Sequence, residues 1–459
     1  MANASMKKTV VIDVVGLSAS LLEHMPFLKA YTGTRHVTTI QPMLPAVTTA
    51  VQSTYLTGQW PAEHGIVGNG WYDRTDAEIK FWKQSNRLVD APKIWDKARQ
   101  LNPSFTVSQM CWWYNMYANV DYSLTPRPNY LQDGRKIPDC YTTPADLRDY
   151  LREKLGTFPL FNYWGPTASI VSSQYIADAS ILTDQRYNPT MTFIYLPHLD
   201  YCLQKFGQDM EKNKKEILEI DAVVKQLVEY YQQQNAAIII LSEYGISNAS
   251  NPIDINRILR REGLLAIREE RGLELLDAGA SKAFAVADHQ VAHIYVNDPA
   301  AYKKVRSLLE AHPDIELVLD REGKRQHQLH HPRSGELVAV AAPGSWFTYY
   351  YWLDDKKAPD FARTVEIFKK PGYDPVEMFM DPKDPLIKLK AAFKVLKKKL
   401  GFRYVMNVIP LDASLIKGSH GRLEADPSLH PLIITNEPVG KPSILATEVY
   451  QVMWNHLVG

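Results

Sequence analysis

Three short segments of the chain consist almost entirely of apolar residues, and longer segments that contain polar residues separate them. They are residues 9–13 (TVVID), 191–196 (MTFIYL) and 236–241 (AAIIIL). This unbroken apolar pattern is typical of strands that are covered on both faces. Between the last two, residues 208–234 carry apolar side chains at helical spacing, which predicts a parallel strand–helix–strand unit. We therefore predict an α/β fold with a central, mostly parallel sheet and helices on both of its faces.

The pattern changes after about residue 250. Residues 251–404 combine short strand-like runs, a short helix and loops rich in proline and aspartate. A chain of 459 residues is longer than one simple core usually carries, so an inserted unit is expected. We predict that residues 1–250 and 405–459 form the core, and that residues 251–404 form a smaller α+β cap packed on the sheet.

Composition argues against several classes of protein. The net charge is +1 and charges of both signs are mixed, so we expect no nucleic-acid polymer as partner. No apolar stretch reaches about 18 residues, so we expect no membrane insertion. The three cysteines lie far apart, which favours neither a disulfide framework nor a cysteine metal site. The first residues, MANASMKKTVVIDVVG, lack the pattern of a secretory leader, so we expect a cytoplasmic protein.

One basic run, residues 388–399 (KLKAAFKVLKKK), spaces its apolar residues like an amphipathic helix. We interpret it as the solvated face of a helix, with a membrane-surface helix as the alternative.

Acidic residues follow all three predicted strands. Asp13 ends the first strand, Asp200 comes a few residues after the second, and Glu243 follows the third. A single acid at such a place usually caps a helix or turn. The carboxyl ends of parallel strands, however, meet at one edge of a sheet, where ligands bind. Three converging carboxylates repel each other and favour a bound divalent cation.

A second candidate region extends over residues 45–73. Thr48 and Thr49 precede a helical pattern, and a hydroxyl there is either an N-cap or a nucleophile favoured by the helix dipole. Asn69 lies in a glycine-rich turn, HGIVGNG, where its amide either donates to an oxyanion or tolerates a left-handed conformation. We interpret His64 as a residue that shapes this turn.

The order and spacing of these residues resemble the nucleotide pyrophosphatase/phosphodiesterase family of the alkaline phosphatase superfamily. The matching positions are Asp13, Pro45 and Thr48, the TG-x-x-P-x-x-HGI-x-x-N segment at residues 57–69, and His420 in GSHG. The resemblance implies an alkaline-phosphatase-like fold, a threonine nucleophile, two zinc ions and a small phosphorylated substrate.

Two motifs depart from the family pattern. Gln204 replaces the histidine of Asp-x-x-x-His, and the family's Ser-Asp-His-Gly is Ser242-Glu243-Tyr244-Gly245 here. Oxygen donors suit magnesium or manganese better than zinc. We therefore predict one or two divalent ions, which are zinc by resemblance or else magnesium or manganese. Other histidines are candidate replacements, although a lone histidine is more often structural, as we interpret His330 and His331. The predicted metal-site residues are Asp13, Thr48, Asp200, Gln204, Glu243, Tyr244 and His420, with Asp288, His289 and His198 as further candidates.

An aromatic run, Trp112-Trp113-Tyr114, follows a strand-like segment. In the family that this chain resembles, the region lies near the active site, so these rings are candidates for substrate stacking. Core packing is the alternative.

The hypothesis that follows is metal-dependent hydrolysis of phosphoric esters of the phosphodiesterase or pyrophosphatase type. Thr48 attacks phosphorus to form a phosphothreonine intermediate, Asn69 holds a non-bridging oxygen, and Thr49 is the fallback nucleophile. The alternatives are a phosphomonoesterase, a phosphonate or sulfate-ester hydrolase, a phospho-sugar mutase with a related sheet, and a non-catalytic protein that binds a phosphorylated ligand.

Overall fold

The computed structural model describes residues 6–133 and 135–459. Our interpretation of the start of the chain falls partly on residues 1–5, which lie outside the described residues. Within the described ranges, no helix combines the length and the apolar character needed to cross a membrane.

A nine-stranded sheet forms the centre of the molecule. Seven strands run in one direction, while the third strand in the order below and the last run in the opposite direction. The order across the sheet is Ser443–Ile444, His36–Ile40, Leu432–Thr435, Ala237–Leu241, Thr9–Val14, Met191–Leu196, Val107–Met110, Tyr122–Pro126 and Cys140–Thr143.

The central strand Thr9–Val14 is buried at every residue. Since successive side chains of a strand point to opposite faces, both faces of the sheet are covered. Asp13 is in register with Leu241 on one neighbouring strand and with Tyr195 on the other. The carboxyl ends of the three predicted strands therefore meet at one edge.

Helices that cover the sheet form two packed groups. Helix Met210–Gln233 contacts three others, Pro26–Thr32, Ile170–Tyr187 and His198–Phe206, and helix Glu448–Val458 contacts Thr48–Thr57. The further helices in the core are Ala19–Leu22, Pro61–His64, Ile94–Leu101, Asp146–Leu155 and Leu160–Tyr163.

A separate four-stranded antiparallel sheet lies within residues 251–404. Its order is Ala283–Asp288, Val291–Val296, Leu337–Ala341 and Ile315–Leu319. The helices of this region are Ile255–Arg261, Tyr302–Glu310, Arg321–Gln326 and Ile387–Lys399. Strand Ser247–Ile253 pairs with both Gly344–Phe347 and Gly418–Ser419, so it joins this region to the core. The boundaries of the inserted cap stay a prediction.

Candidate active site

Thr48 is the first residue of helix Thr48–Thr57, which follows the extended residue Val47. Its hydroxyl oxygen lies 2.8 Å from the hydroxyl of Tyr244, and the residue lines a large cavity. Thr49, in contrast, donates its hydroxyl to the backbone carbonyl of Gly68 at 2.9 Å. The local geometry therefore favours Thr48 over Thr49 as a nucleophile.

Asn69 lies close to the same helix end. Its side-chain oxygen accepts the backbone N–H of Thr49 at 3.1 Å, and its amide nitrogen donates to Asp288 at 3.0 Å. An asparagine amide has two N–H donors, so one of them is engaged by Asp288. His64, as expected, organises the turn before Asn69, because its Nδ1 accepts the backbone N–H of Ile66.

Asp13 and Glu243 form a buried pair of carboxyl groups within hydrogen-bond reach of each other. Gln52 joins them from the helix of Thr48, with its amide nitrogen 2.6 Å from Glu243 and 3.4 Å from Asp13. The Gln52 side-chain oxygen accepts the backbone N–H of Trp113 at 2.7 Å. One glutamine thus connects helix Thr48–Thr57, the carboxyl pair and the aromatic run.

Burial disfavours the ionised form of both carboxyl groups, and Asp13 further disfavours the ionised form of Glu243. Burial raises the pKa of Asp13 to about 7, although hydrogen bonds from Glu243 and Gln52 oppose the shift. Burial, followed by the charge of Asp13, raises the pKa of Glu243 well above its usual range. Like charges in a low-dielectric site have this effect, and a bound cation would reverse it.

Asp200 and His420 form a second pair, in which His420 Nε2 lies 3.5 Å from a carboxylate oxygen of Asp200. His420 Nδ1 lies 2.7 Å from the carbonyl oxygen of Ala46, and a carbonyl only accepts, so Nδ1 carries the proton. The lone pair of Nε2 therefore faces Asp200. This tautomer, fixed by a backbone carbonyl, is the one that metal-binding histidines adopt.

Gln204 donates to Asp200 at 2.9 Å, and its side-chain oxygen accepts the hydroxyl of Tyr373 at 2.9 Å. Tyr244 stacks on His420, with ring centroids 3.6 Å apart. The two residues that replace family histidines thus lie at the site, and each has a hydrogen-bond partner there.

His289 comes to the site from the hairpin between Ala283–Asp288 and Val291–Val296. Its Nδ1 lies 2.7 Å from Asp288, its ring stacks on Tyr373 at 3.5 Å, and its centroid is 3.9 Å from that of His420. Because a carboxylate only accepts hydrogen bonds, His289 Nδ1 carries the proton that it donates to Asp288, and Nε2 keeps a free lone pair.

Backbone hydrogen bonds fix this hairpin next to the loop of His420. Gln290 donates its N–H to the carbonyl of His420 at 2.9 Å, and Ala46 donates to the carbonyl of Gly421 at 2.9 Å. Gly421 has φ +123°, and a Cβ there would approach the nitrogen of Gln290 to 3.1 Å. Only glycine suits that conformation and that close approach.

Unpartnered buried atoms indicate that the candidate donors suit a cation. Among the buried side-chain atoms that have no hydrogen-bond partner in the described residues, four are acceptors of predicted metal-site residues near Thr48. Uncompensated buried acceptors are costly, and a cation satisfies them. They are Asp13 Oδ1, Glu243 Oε2, Asp200 Oδ1 and His420 Nε2.

His198 is not part of this arrangement. Its Nε2 lies 2.7 Å from Glu216 and 3.9 Å from Glu219, both on helix Met210–Gln233. Among the described residues, these three form the only group of at least three His, Cys, Asp or Glu ligand atoms within 4.8 Å of one another. The donors around Thr48 therefore form two pairs, Asp13 with Glu243 and Asp200 with His420, rather than one such group.

A cavity of about 700 Å³ opens beside Thr48. Trp112, Trp113 and Tyr114 all line it, but Trp112 also packs on Phe193 in the core, with ring centroids 5.3 Å apart. Trp113 is partly exposed and contacts Trp82 at 4.8 Å. Both interpretations of the aromatic run, stacking surface and core packing, thus have a structural basis.

Two residues at the site are missing from the sequence-based set. Gln52 lies four residues after Thr48 on one helix face, and this spacing is a signal that could have identified it. Tyr373 contacts both Gln204 and His289. It lies in a loop of the region of residues 251–404, and no local pattern points to it.

Comparisons with known proteins connect this geometry to a family. A model of the family described as type I phosphodiesterase/nucleotide pyrophosphatase matches residues 9–374. Ectonucleotide pyrophosphatase/phosphodiesterase 1 of Saccharomyces cerevisiae is 26% identical over 270 residues, which are 54% of this chain and 35% of that protein. An uncharacterized pyrophosphatase/phosphodiesterase of Schizosaccharomyces pombe is 24% identical over 221 residues, 47% of this chain and 39% of the relative. The matched part thus spans less than half of either relative.

Solved structures show the same fold. Murine ectonucleotide pyrophosphatase/phosphodiesterase 5 has a TM-score of 0.59 at 16% identity and covers 98% of this chain and 94% of its own. An inactive threonine-to-alanine variant of the murine protein is in complex with AMP. Phosphonoacetate hydrolase from Sinorhizobium meliloti, in complex with phosphonoacetate, has a TM-score of 0.61 at 14% identity and covers 98% of this chain and 96% of its own. These likenesses confirm the predicted fold class.

Proposed function

Because the chain belongs to the type I phosphodiesterase/nucleotide pyrophosphatase family, we propose that it hydrolyses a phosphoric diester or phosphoanhydride with Thr48 as nucleophile. The observation that carries the proposal is the set of four buried acceptor atoms without partners, drawn from Asp13, Asp200, Glu243 and His420. Thr48 connects the two pairs, since it contacts Glu243 on one side and Tyr244, which stacks on His420, on the other.

The family is generally dependent on divalent metals, and the donors here fit such ions. Asp13, Glu243 and Thr48 would hold one ion, and Asp200, His420 and His289 would hold another. A bound divalent cation lowers the pKa of a hydroxyl and offsets charge on phosphate oxygens. The all-oxygen set of Asp13 and Glu243 suits magnesium or manganese, whereas the imidazoles suit zinc.

The residues of the chain position the nucleophile. A bound cation would favour the ionised form of Glu243, which only accepts hydrogen bonds, so the Thr48 proton would point to Glu243 and the Tyr244 hydroxyl would donate to Thr48. Thr48 gives its proton to Glu243 as Oγ1 forms a bond to phosphorus, the bond from phosphorus to the ester oxygen breaks, and the departing oxygen takes a proton from solvent. Water then cleaves the P–Oγ1 bond of the phosphothreonine, which releases the phosphate product and restores the Thr48 hydroxyl. The second N–H of Asn69 and the N-terminus of helix Thr48–Thr57 stabilise the charge on a non-bridging oxygen.

The cavity favours a diester with a bulky ester group. Among the described residues that line it, 14 are Phe, Trp or Tyr, and the two lysines of the lining are each paired with acids. Lys370 contacts Asp374 and Glu377 at 2.7 Å, and Lys136 lies 3.6 Å from Glu366. Paired lysines offer little attraction to the second negative charge of a monoester.

The test replaces Thr48 and varies the substrate. Thr48→Ala should lower kcat by about 10³-fold or more on bis(p-nitrophenyl) phosphate, and Thr48→Ser should restore a measurable part of it. Thr49→Ala is the matched control, because its hydroxyl contacts a backbone carbonyl and not the cavity. Rates on p-nitrophenyl phosphate and on a nucleotide sugar, compared under zinc, magnesium and manganese, separate monoester, diester and anhydride hydrolysis.

Two outcomes would overturn the proposal. Full activity of Thr48→Ala would exclude the threonine mechanism. Purified protein that holds no stoichiometric metal by elemental analysis, and that turns over none of these substrates, would instead identify a non-catalytic binding protein.

A further inference from the structure

The segment of residues 386–405 exposes more large apolar side chains than any other stretch of similar length among the described residues. It contains helix Ile387–Lys399 and the turn after it. The exposed side chains are Leu386, Leu389, Phe393, Val395, Leu396, Leu400, Phe402 and Val405. Our sequence-based interpretation of this helix as a solvated face therefore accounts for its lysines but not for its apolar residues.

The helix has apolar residues on two sides. Ile387 and Ala391 pack against the core, and Ala391 and Val395 line the cavity. Leu389, Phe393, Leu396 and Leu400 recur at helical spacing, and we call these four residues the docking face. They are 68%, 56%, 50% and 64% exposed. Helical periodicity puts them on the side opposite Ala391.

Basic residues surround the docking face. Residues 385–405 contain six lysines and one arginine and no acidic residue. Since the whole chain has a net charge of +1 and this segment carries +7, the remaining residues together carry −6. Lys388, Lys390 and Lys397 are exposed. A long lysine side chain can keep its charge in water while its stem covers apolar surface.

We propose that the docking face binds an anionic lipid–water interface. An amphipathic helix with apolar residues on one side and lysines at its borders suits the boundary between acyl chains and acidic head groups. If a second copy of the chain bound this face through its own docking face, two segments that each carry a net charge of +7 would repel each other. A nucleic acid would satisfy the lysines and leave the four apolar side chains in water.

The same helix also forms part of the rim of the cavity. Val395 and Val405 line the cavity and are 41% and 60% exposed, so they lie at its mouth. Tyr130, on another part of the rim, is 48% exposed. Ala391 and Val395 line the cavity from the other side of the same helix, so lipid bound to the docking face would lie next to the rim of the cavity and not over its lining.

The test is co-sedimentation of the full chain with vesicles, which needs no turnover and so is independent of the proposed hydrolysis. The protein should bind vesicles of phosphatidylcholine with phosphatidylserine and bind pure phosphatidylcholine much less. Phe393→Asp should weaken binding by about tenfold or more, because it removes the largest apolar group of the face. Leu101→Asp is the matched control, since Leu101 is 48% exposed at the end of a helix elsewhere.

Charge is tested separately with Lys388→Gln and Lys397→Gln. Each should weaken binding to the anionic vesicles by about fivefold, and added salt should weaken it further. Equal binding by Phe393→Asp and Leu101→Asp, or no binding by the wild-type protein, would overturn the proposal. A dimer that Phe393→Asp dissociates, observed by sedimentation velocity without vesicle binding, would assign the face to a second copy instead.

Discussion

The two halves of the candidate site differ in origin and in donor chemistry. Asp13 lies near the end of one strand of the central sheet, Glu243 follows the adjacent strand, and backbone register aligns Asp13 with its neighbours. Asp200, in contrast, is joined by His420 and His289, which come from a late loop and from the hairpin of the separate sheet. The first half is positioned by the sheet itself. The second half depends on loops. Its imidazoles belong to His420 and His289, which lie outside the two motifs in which Gln204 and Tyr244 replace histidines.

The largest expected effect comes from the first half. Asp13→Asn removes the charge of a donor at the centre of the sheet edge, so kcat/KM on a diester should fall by about 10³-fold. Asp221→Asn is the control, since Asp221 is a buried acid that accepts backbone N–H groups of Phe27 and Leu28. That control should lose stability and keep its activity. Equal losses of activity would show that Asp13 acts only on folding.

The second half is tested by His289. His289→Ala should lower the affinity for added zinc by about 10–100-fold, measured by isothermal titration, because it removes an oriented imidazole. His198→Ala should leave that affinity unchanged, since His198 pairs with Glu216 elsewhere. If His198→Ala lowered the affinity for zinc and His289→Ala did not, the metal would be placed at His198, Glu216 and Glu219. The second half of the candidate site would then bind no zinc.

The buried acids of the first half predict a gain in stability. In EDTA at pH 8, Glu243→Gln should raise the free energy of unfolding by about 2 kcal/mol, because burial beside Asp13 raises the pKa of Glu243 and makes this acid costly in the folded state, whereas an amide has no charge to bury. Asp200→Asn should give no such gain, since His420 and Gln204 are its neighbours. Chemical denaturation of both variants measures the difference. A loss of stability in Glu243→Gln would mean that the pair shares its proton without strain.

The smallest effect is expected at Tyr244. Tyr244→Phe keeps the ring on His420 and removes the hydroxyl that lies 2.8 Å from Thr48. One hydrogen bond contributes about 1 kcal/mol, so kcat should fall by about fivefold with KM little changed. Rescue of kcat by a higher metal concentration would indicate instead that the Tyr244 hydroxyl binds the ion.

Much of the fold could be predicted from the apolar pattern. The runs at residues 9–13, 191–196 and 236–241 correspond to three adjacent parallel strands, and the resemblance to the family is confirmed. Parallel strands align their carboxyl ends, which is why Asp13 and Glu243 could be expected to meet. The cytoplasmic location stays a prediction.

The rest of the site depends on contacts that no local pattern encodes. Tyr373 meets Gln204 across 169 positions in the sequence, and its partner could not be inferred from either segment alone. His289 has a positive φ of 59° in a tight hairpin, so its direction depends on the backbone of that turn. His198 had an acidic neighbour at Asp200, yet its ring meets Glu216 on the next helix instead.

The distance along the chain between the contacts at Thr48 has a consequence for biosynthesis. Thr48 and Tyr244 are 196 positions apart, and the contact that orients His420 spans 374 positions. A ribosome therefore completes the nucleophile helix long before it reaches the residue that finishes the second pair. The nascent polypeptide therefore carries Thr48 without its full surroundings until residue 420 has been synthesised, and the complete site forms only after that point.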